Sequence, residues 1–76
     1  MYTALVRMKN TQSRDGKRVL GYAAITVRAN GQIIVRDHSA CTQNPQKQIG
    51  SLRKNAMAAA KALKCEYKEM LNTTIG

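Results

Sequence analysis

The chain has no tryptophan and no phenylalanine, and its only aromatic residues are three tyrosines. Any core it builds is therefore aliphatic, and it offers no aromatic platform on which unpaired bases could stack. Acids are almost as scarce. Four Asp and Glu stand against 13 Lys and Arg, for a formal charge of +9. Hydrolytic and transfer chemistry needs positioned acids, bases, nucleophiles or metals. Asp15 falls at a turn tip, Glu66 and Glu69 near the end of a predicted helix, and Asp37 alone lies within a predicted strand. One acid cannot hold a two-metal site. The single histidine, His38, adjoins Asp37, and strand neighbours point to opposite faces, which makes a poor dyad. Neither GxxxxGK[ST] nor GxGxxG occurs, so no loop is built to cradle a phosphate. The expectation is a protein that is not an enzyme and takes no cofactor.

Cysteine is also sparse. Cys41 and Cys65 lie far apart and form no CxxC pair, which in a reducing compartment predicts buried thiols, not a disulfide. His38 and Cys41 have an HxxC spacing beside Asp37, but even with Cys65 this is a weak zinc set, so no metal is expected. No apolar run approaches the roughly 20 residues that cross a bilayer. The opening Met1–Arg7 lacks a charged region followed by an apolar stretch, as a signal peptide would have. These absences predict a cytoplasmic protein with no membrane partner.

What is present is a chain of 76 residues, 43% of them hydrophobic, too apolar for a disordered basic tail and too short for a second core. It is expected to form one domain over residues 1–76, with a thin core, because chains of this size bury only about 60% of their unfolded surface. Residues 2–9 alternate with period two, Tyr2, Ala4, Val6 and Met8 against Thr3, Leu5, Arg7 and Lys9, which predicts a strand. The polar stretch Asn10–Arg18 is a loop with Asp15-Gly16 at its tip. A second strand is predicted from about Val19 to Arg28 and a third from about Gln32 to His38, joined at Asn30-Gly31.

The register of that hairpin can be argued. A two-residue turn would set Ile25 opposite Arg36 and mix polarity on one face. A three-residue loop Ala29-Asn30-Gly31, with Gly31 left-handed, sets Val27 opposite Ile33 and Ile25 opposite Val35. Asn44-Pro45 resembles an N-cap followed by proline in the first helical position. Ile49, Leu52, Ala56, Ala59, Leu63, Tyr67 and Met70 recur at helical steps, which predicts one helix from Pro45 to about Leu71, weakened or kinked at Gly50, with Asn72–Gly76 frayed. The predicted fold is α+β: a three-stranded antiparallel sheet packed by one face on one C-terminal helix, in the order β-β-β-α.

The basic residues fall into three groups. Arg7, Lys9, Arg28 and Arg36, with Thr3 and Thr26 between them, are expected on the sheet face that the helix leaves free. Lys17 and Arg18, with Arg14, belong to the first loop. Lys47, Lys54, Lys61 and Lys68 recur every seven residues, with Arg53 and Lys64 beside them, and form a stripe opposite the apolar one. Each group alone is ordinary solvated surface. Together they exceed what solubility asks of a small domain, and unopposed positive charge attracts polyanions, of which nucleic acid is the commonest in a cytosol.

Segments of the chain resemble three families. RKNAMAAAKAL, Arg53 to Leu63, resembles the last helix of double-stranded RNA-binding domains, where a basic cluster opens an alanine-rich helix after a three-stranded sheet. Ala58, Ala59, Ala60, Lys61 and Leu63 fit; the family's three basic positions fall on Leu52, Arg53 and Ala56, of which only Arg53 is basic. The family's first helix and minor-groove histidine have no counterpart here. The β-β-β-α order is similar to the arm-type DNA-binding domains of phage and transposon integrases, which lay a sheet face in the major groove. That resemblance implies base or phosphate contacts from Arg7, Lys9, Arg28 and Arg36. GYAAITVRANGQIIV with AMAAAKAL resembles the first three strands and helix of ribonuclease-H-like folds, a family that needs an acid in strand one and another in the helix. Neither acid is present, so the resemblance extends to the fold without the active site.

The functional expectation is a small basic protein that contacts duplex nucleic acid, DNA ahead of RNA, through the sheet face and first loop. Arg28 and Arg36 are central, because a guanidinium fork bonds phosphate or guanine bidentately. Lys47, Arg53 and Lys54 add phosphate contacts near the helix start. The alternative is an accessory or inhibitor protein that binds an acidic protein. An unpaired edge strand could also make a homodimer.

Overall fold

The structure, a computed structural model, describes residues 1–12, 16, 18–40 and 45–76. Four strands and one helix follow one another: β1 (Tyr2–Gln12), β2 (Arg18–Val27), β3 (Ile33–Ala40), α1 (Pro45–Leu63) and β4 (Glu66–Ile75). The sheet order is β3-β2-β1-β4. β1–β2 and β2–β3 are antiparallel, while β4 pairs with β1 in parallel. The class is α+β as expected, but the sheet has four strands and is mixed, where three antiparallel strands were predicted.

The extra strand comes from the end of the predicted helix. Helical periodicity continues through Tyr67 and Met70, yet α1 stops at Leu63. The Cys65 amide donates to the Ala60 carbonyl at 2.9 Å and the Lys64 amide to the Lys61 carbonyl at 3.3 Å. Lys64 itself is left-handed, with φ of 54°. This is a Schellman cap with lysine where glycine is usual, and a lysine there gives no sign of a helix stop. Beyond it, EYKEMLNTTI half-buries Tyr67, Met70, Leu71 and Ile75, a spacing with no period of two, and pairing with β1 selects the strand over the helix. A parallel neighbour for β1 requires a long crossover, and α1 supplies it between β3 and β4.

β1 also runs past residue 9 to Gln12, and Thr11 and Gln12, expected in the loop, pair with Val19 and Arg18; the hairpin between β2 and β3 is as expected. Val27 pairs with Ile33 and Ile25 with Val35. Gly31 has φ of +87° and its amide donates to the Arg28 carbonyl at 2.9 Å, while the Arg28 amide donates to the Gln32 carbonyl at 2.8 Å. That is the three-residue bulged turn, and its left-handed position calls for glycine. α1 opens at Pro45 and runs through Gly50 without a break. The N-cap Asn44 and Cys41 lie outside the described residues. Cys65, expected to be buried, is half-buried, with a free thiol.

The two sheet faces exchange the roles expected of them. α1 packs on the face that carries Thr3 and Leu5 of β1 and Tyr22, Ala24 and Thr26 of β2. Leu5, Ala24, Ile49, Leu52 and Ala56 form one buried cluster there, flanked by Tyr22, Tyr67 and Leu71. Ala24 and Ala56 are small enough for helix and sheet to approach closely. At that contact the Thr3 hydroxyl donates to the Ala56 carbonyl at 2.8 Å, fully buried. Burying Leu5 and Leu52 contributes about 1.5–3 kcal/mol each. Thr3 and Thr26, expected in water, are 0% and 1% exposed. The other face carries a second cluster, Ala4, Val6, Ala23 and Ile25, ringed by Tyr2, Met8, Val27, Met70 and Ile75. Among the described residues no element lies over it.

Candidate nucleic-acid interface

The helix side of the molecule gathers most of the described positive charge. Lys47, Lys54 and Lys61 are all exposed on α1 at seven-residue steps, a row about 21 Å long. The row stands opposite Ile49, Leu52, Ala56 and Ala60, which α1 buries against the sheet. Lys68, the expected fourth member, is not part of it. The helix has ended, and Lys68 pairs in register with Ala4 on the far face, its Nζ 4.4 Å from the centre of the Tyr2 ring.

The sheet residues fall on this same side, not on an open face. Arg36 is exposed and its Nε donates to Thr26 Oγ1 at 2.9 Å. The pairing shifts between Ala24 and Ile25, so Arg36 is the extra residue between Val35 and Asp37. Arg28 is exposed at the hairpin, bonded to Gln32 Oε1 at 3.4 Å. Arg7 is half-buried opposite Tyr22, and its Nε is buried without a partner, as is Gln48 Oε1 on the first turn of α1. Lys9 is exposed near the end of β1. The face left free by α1 thus carries none of Arg7, Arg28 or Arg36. The physical reason is that the alternation divides Thr3, Leu5 and Arg7 from Tyr2, Ala4, Val6 and Met8 without saying which set the helix covers. Of the loop residues, Lys17 lies outside the described residues and Arg18 is the first residue of β2.

Two acids on this side are already engaged. Glu69 of β4 makes an ion pair with Arg53 of α1 and accepts from the Tyr67 hydroxyl at 3.2 Å. The hydrogen bond from Arg53 holds the Glu69 carboxyl below its ordinary value, and the same contact raises the Arg53 guanidinium. Burial, and then the Glu69 charge, push the Tyr67 phenol up. Arg53 was expected to meet phosphate, but here its charge is matched within the protein. Asp37 accepts from the His38 amide at 2.9 Å and from Asn55 Nδ2 at 3.3 Å.

The first turn of α1 holds no acid, leaving the positive end of the helix dipole uncompensated. Beside it Lys47, Gln48 and Ser51 face Asp37, His38 and Ser39 across an open cleft of about 360 Å³. Neither Lys61 nor Lys64 was among the expected contacts. The seven-residue spacing from Lys47 and Lys54 was the signal for Lys61, and Lys64 follows as the exposed cap residue. All three tyrosines are at least partly buried, so the described surface presents no fully exposed ring.

No family model, no curated protein and no solved structure matches this chain.

Proposed function

We propose that this protein binds duplex nucleic acid through its helix side, with the α1 row as the principal contact and Arg28 and Arg36 at its flank. The observation that carries the reading is the row Lys47, Lys54 and Lys61, exposed along α1, on a side whose acids Glu69 and Asp37 already have partners. Duplex DNA carries one charge per about 1.7 Å of axis, so the 21 Å row spans about 12 of them. The basic start of α1 adds a dipole that favours phosphate. A duplex is preferred to a single strand because no exposed ring offers bases a stack.

Five cationic contacts, Lys47, Lys54, Lys61, Arg28 and Arg36, give an expected salt slope of about −4.5 and a loss of several hundredfold in affinity between 50 and 200 mM salt, roughly. Fluorescence anisotropy with labelled duplex DNA, duplex RNA and single strands measures both. Lys54→Glu with Lys61→Glu is expected to flatten the slope by about 2 and to weaken binding at least tenfold. Arg28→Glu with Arg36→Glu is expected to have the smaller effect. A slope near zero for every polyanion overturns the reading, as does a Lys54/Lys61 pair whose reversal leaves affinity intact. Salt-insensitive capture of an acidic protein by the same lysines would instead favour the accessory-protein alternative.

A further inference from the structure

We infer that the open edge of β3 pairs antiparallel with the β3 edge of a second copy of this chain, in the register that its bulge sets. β3 is an end strand of the sheet, with β2 on one side only, and Ile33, Val35, Arg36, Asp37 and His38 on it are exposed. An open edge carries unpaired backbone N–H and C=O groups. Which residues present them follows from the hairpin. The Arg28 amide donates to the Gln32 carbonyl, so these two are a bonded pair. Bonded and unbonded pairs alternate along an antiparallel ladder, which leaves Val27–Ile33 and Ile25–Val35 unbonded. β2 continues in unbroken alternation to Gly21, so Ala23–His38 and Gly21–Ala40 are unbonded as well. The backbone groups of Ile33, Val35, His38 and Ala40 therefore point outward.

The bulge makes this edge selective. Arg36 is the extra residue, so the outward positions Val35 and His38 are farther apart than on a regular strand. A regular strand laid along the edge falls out of step there. A second β3 running antiparallel carries the same interval. Ile33 then lies opposite Ala40 of the second copy and Val35 opposite its His38, so every outward residue finds a partner. The faces agree as well. Val35 and His38 pair with Ile25 and Ala23 on the far side of the sheet, whereas Arg36 and Asp37 both lie on the helix side, bonded to Thr26 and Asn55. In this register Arg36 stands opposite Asp37 of the second copy, and the two-fold axis repeats that ion pair. Charges and a bulge on an edge deter pairing with a regular strand. Here they complement a copy of themselves.

Neither side chain has to give up its present contacts. Oδ1 of Asp37 accepts from the His38 amide and Oδ2 from Asn55, which leaves a lone pair on each oxygen for a guanidinium. Arg36 donates from Nε to Thr26, and its remaining donors can serve both a carboxylate and a phosphate. The two four-stranded sheets become one continuous sheet with both α1 helices on the same side. Each helix packs over β1 and β2 through Leu5 and Ala24. The helices therefore stand four strand spacings apart, about 19 Å, or roughly two Debye lengths at physiological salt, so repulsion between their lysine rows is largely screened.

Sedimentation equilibrium over a range of concentrations tests this. The wild-type chain is expected to approach twice its monomer mass as its concentration rises, and amide exchange at Ile33, Val35, His38 and Ala40 is expected to slow in step. Arg36→Asp and Asp37→Arg, each alone, set like charges opposite one another across the axis. Each is expected to keep the far-ultraviolet circular dichroism of the fold and to weaken the dimer roughly tenfold or more. The double variant Arg36→Asp with Asp37→Arg sets opposite charges together again and is expected to recover most of the lost affinity. A single variant that failed through misfolding would gain nothing from the second substitution. A wild-type chain that stays at monomer mass at every concentration reached overturns the inference. So does a dimer indifferent to either reversal, or a double variant that stays as weak as the singles. The inference does not rest on duplex binding, and a salt slope of zero would leave it standing.

Discussion

Two residues of α1 and its cap sit in backbone environments that do not suit them. Gly50 is the sixth residue of α1, and a Cβ built there meets nothing within 4 Å. Glycine inside a helix costs about 0.5–1 kcal/mol relative to alanine, chiefly through the entropy of the unfolded chain. Gly50→Ala is therefore expected to raise stability by about that amount, read from the denaturant midpoint. Lys64 presents the converse. Its left-handed φ of 54° suits glycine, and an L-residue pays roughly 1 kcal/mol to hold it. Lys64→Gly should stabilise the Schellman cap by about 1 kcal/mol in the same measurement, less the cost of the freer unfolded chain. A loss in either variant would mean that the side chain has contacts outweighing the backbone term. Val27–Ile33 and Gly31 show what was legible at this scale. Turn chemistry is set by neighbours within a few residues, so the hairpin could be read to the residue.

At the scale of elements the weak point is the join of α1 to β4. Residues after Leu63 continue the helical spacing through Tyr67 and Met70 without alternating, and the Lys64 cap and the open edge of β1 decide for the strand. Arg53 and Glu69 then tie the helix to the new strand. The pair is largely exposed, so its contribution is modest and sensitive to salt. Its pH dependence has a definite sign. Because the folded Glu69 carboxyl lies below its ordinary value of 4.5, the contribution is present above that value and is lost as pH falls through the lowered one. Glu69→Gln is expected to make the acid-side fall in melting temperature, from pH 5 down to about 3, shallower than in the wild type. Equal slopes in the two proteins would show that the tie adds nothing to stability. That β4 was missed has the same physical origin as its weakness. A strand held in parallel at a sheet edge is specified by pairing with residues more than sixty positions away, and no local pattern records it.

At the scale of the whole molecule, the described surface divides into a basic side and an apolar side, separated by the sheet. The proposed duplex contact uses the first. Val35→Glu, on the other side of the sheet, should leave most of the salt slope of binding in place. The basic site was legible in part. The seven-residue lysine row through Lys61 could be read from spacing, because a helix repeats almost every two turns. The placement of Arg7, Arg28 and Arg36 could not, because alternation defines two faces and labels neither.

By itself, the sequence determined the small size, the aliphatic core, the excess of positive charge, three strands with their hairpin register, and a helix beginning at Pro45. Each of these depends on composition or on residues near one another along the chain. Only the tertiary structure decided where α1 ends, that β4 lies beside β1, and which sheet face the helix covers. Both faces of β1 and β2 are apolar enough to be buried. The helix takes the one where Leu5, Ala24 and the hydroxyl of Thr3 meet Leu52 and Ala56 closely, and it leaves the more continuous apolar face outside. That choice rests on fit between surfaces brought together by folding, a quantity that no periodicity carries.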